Sequence, residues 1–151
     1  MLTNLIRRHT CERMSRIVTP GNGLTTTRCP NSRHAFAGVS PDQICQHVGT
    51  NDLKSSTLSD VADAIIDLAR EAENASESEI VISELTARNG DYCDAVKAVN
   101  KRLKQFCNEN NWKLISHANV SSKGLNKGDL HLSGEGNELL QQNFVNFLRS
   151  N

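Results

Sequence analysis

Residues 43–53 read Gln-Ile-Cys-Gln-His-Val-Gly-Thr-Asn-Asp-Leu, and the predicted fold is built around this segment. Its first half, Gln43–Val48, predicts a buried strand. Its second half, Gly49-Thr50-Asn51-Asp52, consists of residues that favour a tight turn. Because open α/β sheets bind ligands just beyond the carboxyl ends of their strands, Gly49, Thr50 and Asp52 are candidate binding residues. The alternative is an ordinary connection between a strand and a helix, in which the same residues only form the turn.

The composition indicates one domain with no excess of charge. The 151 residues are enough for a single core, and 17 Lys and Arg balance 17 Asp and Glu. Zero net charge and 4 % aromatic residues give no support for nucleic-acid binding. No apolar run approaches the roughly 20 residues of a membrane-spanning helix. The amino terminus lacks the apolar segment of a secretory signal, so we expect a cytoplasmic protein without membrane contacts.

The cysteines and histidines show no pattern that would hold a metal ion. Five cysteines is an odd number, and none of them form a Cys-x-x-Cys pair, which favours reduced thiols over a disulfide framework or a zinc site. Cys45 lies inside the first predicted strand and is expected to be buried and structural. We therefore predict neither a metal nor another cofactor.

From residue 42 onward, strands and helices alternate. The apolar patterns predict strands over Gln43–Val48, Glu79–Leu85 and Trp112–His117, and helices from Ser56 or Thr57 to about Ala72, from Asp91 or Tyr92 to Asn108–Asn111, and over Gly136–Arg149. This βαβαβα order predicts a parallel sheet covered by helices on both faces.

The first 40 residues lack this regularity. Residues 4–17 have a weak helical pattern, and residues 18–41 hold all three prolines and few large apolar groups, which predicts a loop. So long a loop is unusual inside a compact domain. We therefore divide the chain into a poorly ordered or remodelled segment, 1–40, and an α/β domain, 41–151.

Three polar side chains are expected to meet at the carboxyl edge of the sheet. Asn51 follows the first predicted strand, while Asp129 and His131 lie in the loop before the last helix. A carboxamide can donate to a developing oxyanion. A histidine beside a carboxylate is the general-base part of an acyl-transfer site. The alternative is that His131 simply occupies a polar loop.

Two blocks of this sequence resemble a known family. Val48-Gly49-Thr50-Asn51-Asp52 resembles the block that carries the oxyanion-hole Asn in SGNH hydrolases, also called GDSL-type esterases. Asp129-Leu130-His131-Leu132-Ser133 resembles their last block, which carries the catalytic His and usually the acid. Residues 41–148, with the runs 82–88 and 125–128, look like short SGNH-like domains of invertebrate retrotransposon-type open reading frames. The resemblance implies a flavodoxin-like, three-layer α/β/α fold and hydrolysis of a small ester or acyl substrate.

The resemblance also implies a role for each matching residue. Asn51 would be an oxyanion-hole donor in a turn shaped by Gly49, and His131 would be the general base. Gly23 resembles, more weakly, the glycine whose backbone N–H is the second oxyanion donor. Asp129 would be the acid that orients the histidine.

The chain departs from the family pattern at the nucleophile. The family carries Gly-Asp-Ser after its first strand, and no Gly-Asp-Ser occurs in this sequence. Asn4 stands at the approximate position of the serine, with Thr3 beside it, so the nucleophile is unknown. The acid usually precedes the histidine by three residues, where this chain has Gly128, so Asp129 is one residue out of register.

Three hypotheses follow from this pattern. The first is an SGNH-like hydrolase domain that is impaired or inactive, a pseudoenzyme, because the serine block is missing. The second is a working esterase that uses Thr3 or another local hydroxyl. The third is a non-enzymatic domain that keeps the fold and binds a carbohydrate, an acyl group or a protein partner.

Overall fold

The computed structural model describes residues 15–18, 42–54, 57–126 and 131–150, and for 15–18 it describes the backbone alone. Four strands lie in this part of the chain: β1 (Ser15–Val18), β2 (Gln43–Gln46), β3 (Glu79–Ser83) and β4 (Lys113–Ile115). The helices are α1 (Leu58–Ala75), α2 (Tyr92–Asn110) and α3 (Gly134–Ser150), and short 3-10 turns cover Asp52–Lys54 and Ser122–Gly124.

The strands form one parallel sheet in the order β1-β2-β3-β4. In its register Cys45 pairs with Ile17 on one side and with Val81 on the other. Parallel neighbours require crossover connections, which α1 and α2 provide between β2, β3 and β4. Because every strand runs the same way, all the connections that leave the strands start from one edge of the sheet.

Side chains alternate between the two faces of the sheet because a strand has a period of two residues. On one face Ile44, Ile80 and Ile82 pack against α1 and α2. On the other face Cys45, Val81 and Ile115 pack against Leu140 and Phe144 of α3. This arrangement confirms the predicted α/β class with helices on both faces of a parallel sheet.

The predicted elements differ from the observed ones mainly at their ends. Strands β2 and β3 stop at Gln46 and Ser83, before the predicted ends. Val48 and Leu85 are nevertheless buried, because they pack in the core just beyond the paired backbone. An apolar pattern therefore marks burial and overestimates the length of the hydrogen-bonded strand.

The segment Ser15–Val18 is a strand, where the sequence suggested the end of a short helix. It has four residues, its backbone pairs with β2, and among the described strands it is the outermost on that side of the sheet. Pairing of this kind comes from the neighbouring strand, so a local pattern with few apolar residues does not reveal it. The predicted loop and most of the predicted helix lie outside the described residues.

Helix α1 begins with a reciprocal cap at Thr57, one of the two positions, Ser56 or Thr57, at which the sequence predicts the helix to start. The Thr57 hydroxyl accepts a hydrogen bond from the backbone N–H of Asp60 at 3.2 Å, and the Asp60 carboxylate accepts one from the Thr57 N–H at 3.3 Å. We expect Thr57→Ala to lower the free energy of unfolding by about 1 kcal/mol, because it leaves an amide at the helix end without a partner. Urea denaturation should show this loss, and Thr57→Ser should retain most of the stability.

As far as the described residues extend, none of the helices combines the length and the apolar character needed to cross a membrane.

Candidate functional site

The carboxyl edge of the sheet collects the connections that carry the predicted site. The turn at Gly49 follows β2, residues 84–91 follow β3, and residues 116–126 follow β4. On the face of the sheet that α3 covers, Phe144 contacts the rings of His47 and His117, which follow β2 and β4. Helix α3 starts at Gly134, ten residues before Phe144, so its amino end lies about 15 Å along the helix axis from this contact.

The turn that carries Asn51 depends on Gly49. Gly49 has a φ of +101°, and a Cβ atom there would lie 2.6 Å from Cδ1 of Ile65. A hydrogen bond of 3.1 Å from the Asp52 N–H to the Gly49 carbonyl closes the turn. Asn51 is exposed, Thr50 is half-buried, and Asp52 is buried with 4 % exposure. The turn therefore presents the Asn51 carboxamide to solvent and directs Asp52 inward.

His131 lies on the surface of a fixed backbone. Its carbonyl accepts a hydrogen bond of 2.7 Å from the Asn126 N–H, and Leu132 forms an antiparallel bridge with Leu125. Ser133 then caps α3, since its hydroxyl accepts from the Gly136 N–H at 3.1 Å. The imidazole of His131 is exposed. The backbone at this position is held on both sides while the side chain faces solvent.

The predicted site residues thus divide into two groups. Asn51 and His131 both belong to segments at the carboxyl edge, and neither side chain hydrogen-bonds to a residue that the structure describes. Asp129, Gly23, Asn4 and Thr3 lie outside the described residues. The catalytic roles assigned through the family resemblance therefore stay predictions.

A hydrogen-bonded polar cluster that the sequence analysis did not identify lies at the same edge, with Ser83 and His117 buried, His47 and Asn143 half-buried and Asn119 exposed. We call it the Ser83 cluster, and its members are His47, Ser83, His117, Asn119 and Asn143. The Ser83 hydroxyl is 2.8 Å from Nδ1 of His47 and 2.7 Å from Nε2 of His117. The Asn143 amide nitrogen is 3.0 Å from Nδ1 of His117 and 2.7 Å from Oδ1 of Asn119.

The protons of the Ser83 cluster can be assigned by following the donors. The Asn143 amide donates to Nδ1 of His117, so a neutral His117 carries its proton on Nε2 and donates it to the Ser83 oxygen. The Ser83 hydroxyl then donates to Nδ1 of His47. All the hydrogen bonds in this series point the same way, with donors running from Asn143 on α3 through His117 and Ser83 to His47 at the end of β2.

Burial keeps both imidazoles of the Ser83 cluster neutral. Burial lowers the pKa of His47 from 6.5 to about 4. Burial, and then the neighbouring charge of His47, lowers the pKa of His117 from 6.5 to about 3. The rings also lie against Phe144, with centroid distances of 5.8 Å for His47 and 5.3 Å for His117. Charging either ring would place a cation against this apolar wall.

Ser83 has the partners of an activated nucleophile but no access for a substrate. It is 1 % exposed, and His117 is 3 % exposed. The Ser83 cluster therefore ties the ends of β2, β3 and β4 to α3. The sequence contained one signal of it, since His47, Ser83 and His117 each lie within two residues of the carboxyl end of successive strands.

Cys45, two residues before His47, has an unreactive thiol. Cys45 is fully buried, as the sequence predicted. Its burial, and then the charge of Glu79, raises the pKa of the thiol from 9.0 to about 12. The reactive thiolate is therefore suppressed at neutral pH. Within the part of the chain that the structure describes, no three His, Cys, Asp or Glu side chains form a group that could hold a metal ion.

The fold is similar to that of several solved hydrolase structures. A member of the lipolytic G-D-S-L family from Veillonella parvula superposes with a TM-score of 0.68 at 19 % identity, over 82 % of this chain and 74 % of that chain. A putative acylhydrolase from Bacteroides fragilis has a TM-score of 0.66 at 13 % identity, over 79 % and 66 %. Est24, a carbohydrate acetylesterase from Sinorhizobium meliloti, has a TM-score of 0.68 at 14 % identity, over 79 % and 66 %.

These superpositions show the fold alone, which this chain shares with SGNH, or GDSL-type, acylhydrolases. The chain spans about two thirds of the length of the Bacteroides and Sinorhizobium structures. No protein-family model matches the sequence, and no curated protein matches it.

Proposed function

We propose that this chain is an SGNH-fold ester or acyl hydrolase domain whose catalysis is impaired. The observation that carries the proposal is the acylhydrolase fold with the Gly49–Asp52 turn after β2 and His131 before α3. The exposure of Asn51 and His131 supports it, because groups that act on a substrate must be reachable from solvent.

The proposed chemistry assigns one step to each residue. A hydroxyl nucleophile attacks the carbonyl carbon of a small ester, and His131 accepts its proton. The Asn51 carboxamide, together with the Gly23 N–H, stabilises the oxyanion of the tetrahedral intermediate. His131 returns the proton to the leaving alcohol, which leaves the acyl group on the nucleophile. His131 then deprotonates a water molecule, which attacks the acyl-enzyme, releases the acid and restores the hydroxyl, while Asp129 orients the imidazole. A site of this type without its serine keeps only roughly 10³–10⁴-fold acceleration over water.

Hydrolysis of p-nitrophenyl acetate by the purified protein tests this function. We expect slow turnover above the buffer rate, reduced to the buffer rate in His131→Gln, which preserves size but removes the base. Asn51→Asp should have the same effect, because it replaces a donor by an anion beside the developing oxyanion. In a fully active enzyme, loss of one oxyanion donor costs roughly 10²–10³-fold in kcat. Equal rates in the wild type and both variants would reject the proposal.

One observation favours a second candidate, a binding domain that retains the fold. The sequence has no Gly-Asp-Ser, the block that carries the serine nucleophile in the family that it resembles. A binding site needs no nucleophile, and its ligand would be a small acyl compound or ester. Binding of an uncleaved acyl ester that Asn51→Asp weakens, without any turnover, would support this candidate.

A further inference from the structure

A cavity of about 150 Å³ opens beyond the carboxyl ends of β3 and β4. Leu85, Val96 and Ala118 contribute apolar walls, while Arg88, Lys97 and Glu84 contribute charges. An apolar cleft with a few convergent polar groups is the usual form of a small-molecule site. The described residues of the lining include neither Asn51 nor His131, so this cavity is separate from those two side chains.

Arg88 is the unusual member of the lining. It is only 7 % exposed, and its guanidinium forms no ion pair or hydrogen bond with any residue in the described part of the chain. Burial lowers the pKa of Arg88, and nearby Tyr92 acts in the opposite direction. Buried charges in proteins are normally paired, because desolvating an unpaired ion is costly. A cation in this position is stabilised when an anion from solution enters the cavity.

The acid in the lining does not act as the counterion. Glu84 is occupied elsewhere, because its carboxylate accepts hydrogen bonds from the Ser116 hydroxyl at 2.8 Å and from the His117 N–H at 3.0 Å. Its negative charge instead limits how much anionic charge the cavity can accept. Lys97, which pairs with exposed Asp94 at 3.2 Å, adds a second cation at the rim. Two cations, Arg88 and Lys97, against one carboxylate, Glu84, leave a net charge of +1, which favours a monoanion over a dianion such as phosphate.

The size of the cavity limits the ligand further. A cavity of roughly 150 Å³ accommodates one benzene molecule. A planar guanidinium matches a carboxylate through two parallel hydrogen bonds. We propose that this cavity binds a small organic monocarboxylate, with its carboxylate on Arg88 and its apolar part against Leu85, Val96 and Ala118.

Isothermal titration calorimetry with benzoate as the ligand tests the proposal. We expect saturable binding in the millimolar range for the wild type, since so small a ligand makes few contacts. Arg88→Gln should weaken binding by about tenfold or more, as expected for loss of a charge-assisted bidentate pair. Arg70→Gln is the matched control, because Arg70 is an exposed arginine on α1, and it should bind benzoate like the wild type. Absence of saturable binding, or equal binding by Arg88→Gln, would overturn the proposal.

A second measurement separates ligand binding from a structural role of Arg88. Arg88→Met keeps the length of the apolar stem and removes the charge. We expect this variant to be at least as stable to urea as the wild type without ligand, and benzoate should no longer raise its midpoint. A clear loss of stability would mean that Arg88 has a structural partner, which contradicts the proposal. Inorganic phosphate that binds as tightly as benzoate would exclude the assignment to a monocarboxylate.

Discussion

The free energy of unfolding should fall steeply when the pH is lowered from 6.5 toward 4, with a slope approaching 2.7 kcal/mol per pH unit. His47 and His117 have folded-state pKa values of about 4 and about 3, against the ordinary histidine value of 6.5 in an unfolded chain. Between pH 6.5 and about pH 4, the two histidines bind protons in the unfolded chain that they do not bind in the folded chain. Each proton contributes about 1.36 kcal/mol per pH unit, so stability rises with pH in this window.

The consequence is an acid transition set by the Ser83 cluster. Domains of ordinary stability have about 5–15 kcal/mol in total, so a loss of several kcal/mol is sufficient to unfold a large fraction of the protein by about pH 4. The stabilising contribution is fully present above pH 6.5 and decreases as the unfolded histidines become protonated. Surface ion pairs such as Asp63 with Arg102 are exposed and are screened by salt, so they should contribute little to this slope.

Urea unfolding at pH 7, 6 and 5 measures this slope directly. His47→Gln and His117→Gln should each reduce the slope by about half, since each removes one of the two coupled protons. Both variants also lose hydrogen bonds to Ser83, so the readout is the pH dependence and not the absolute stability. A wild-type midpoint that is unchanged between pH 7 and pH 5 would show that the pKa values of these two histidines are not lowered in the folded protein.

Gly136→Ala should destabilise the protein by about 2–3 kcal/mol, although alanine is the better helix former. A Cβ atom at Gly136 would lie 2.1 Å from the carbonyl oxygen of Gly124 and 2.9 Å from its carbonyl carbon. These are backbone atoms, and the same carbonyl accepts hydrogen bonds from the N–H and the hydroxyl of Ser133. The clash therefore cannot be relieved by a side-chain rotation. Its cost exceeds the roughly 1 kcal/mol that alanine contributes in a helix.

Gly134→Ala provides a matched control in the same turn of α3. A Cβ atom at Gly134 would meet no atom within 4 Å, so this variant should be neutral or slightly more stable. Urea midpoints of the two variants, measured side by side, test the close approach of Gly124 and Gly136. Equal midpoints would mean that the two backbones are not in contact. A lower midpoint for Gly136→Ala should be accompanied by a change in ester hydrolysis, because the segment between these glycines carries His131.

Local periodicity in the sequence was sufficient to predict the strands and α-helices from β2 onward, but not β1. Val96, Val99 and Leu103 recur at helical spacing, and they are the buried face of α2. The apolar run in residues 79–85 marked a strand at the centre of the sheet, and Thr57 marked the start of α1. Alternation of these elements was sufficient to predict a parallel sheet between helices. Each of these signals is contained in fewer than about 20 neighbouring residues.

Which polar groups meet depends instead on the tertiary structure. His47, Ser83 and His117 lie more than thirty positions apart along the chain, and parallel pairing of β2, β3 and β4 brings them together. The burial of Arg88 and the contact of Gly124 with Gly136 likewise depend on where helices settle on the sheet. Periodicity encodes which face of an element is buried, but it does not encode which residue of another element lies opposite. That choice is made by register and packing, which involve the whole chain at once.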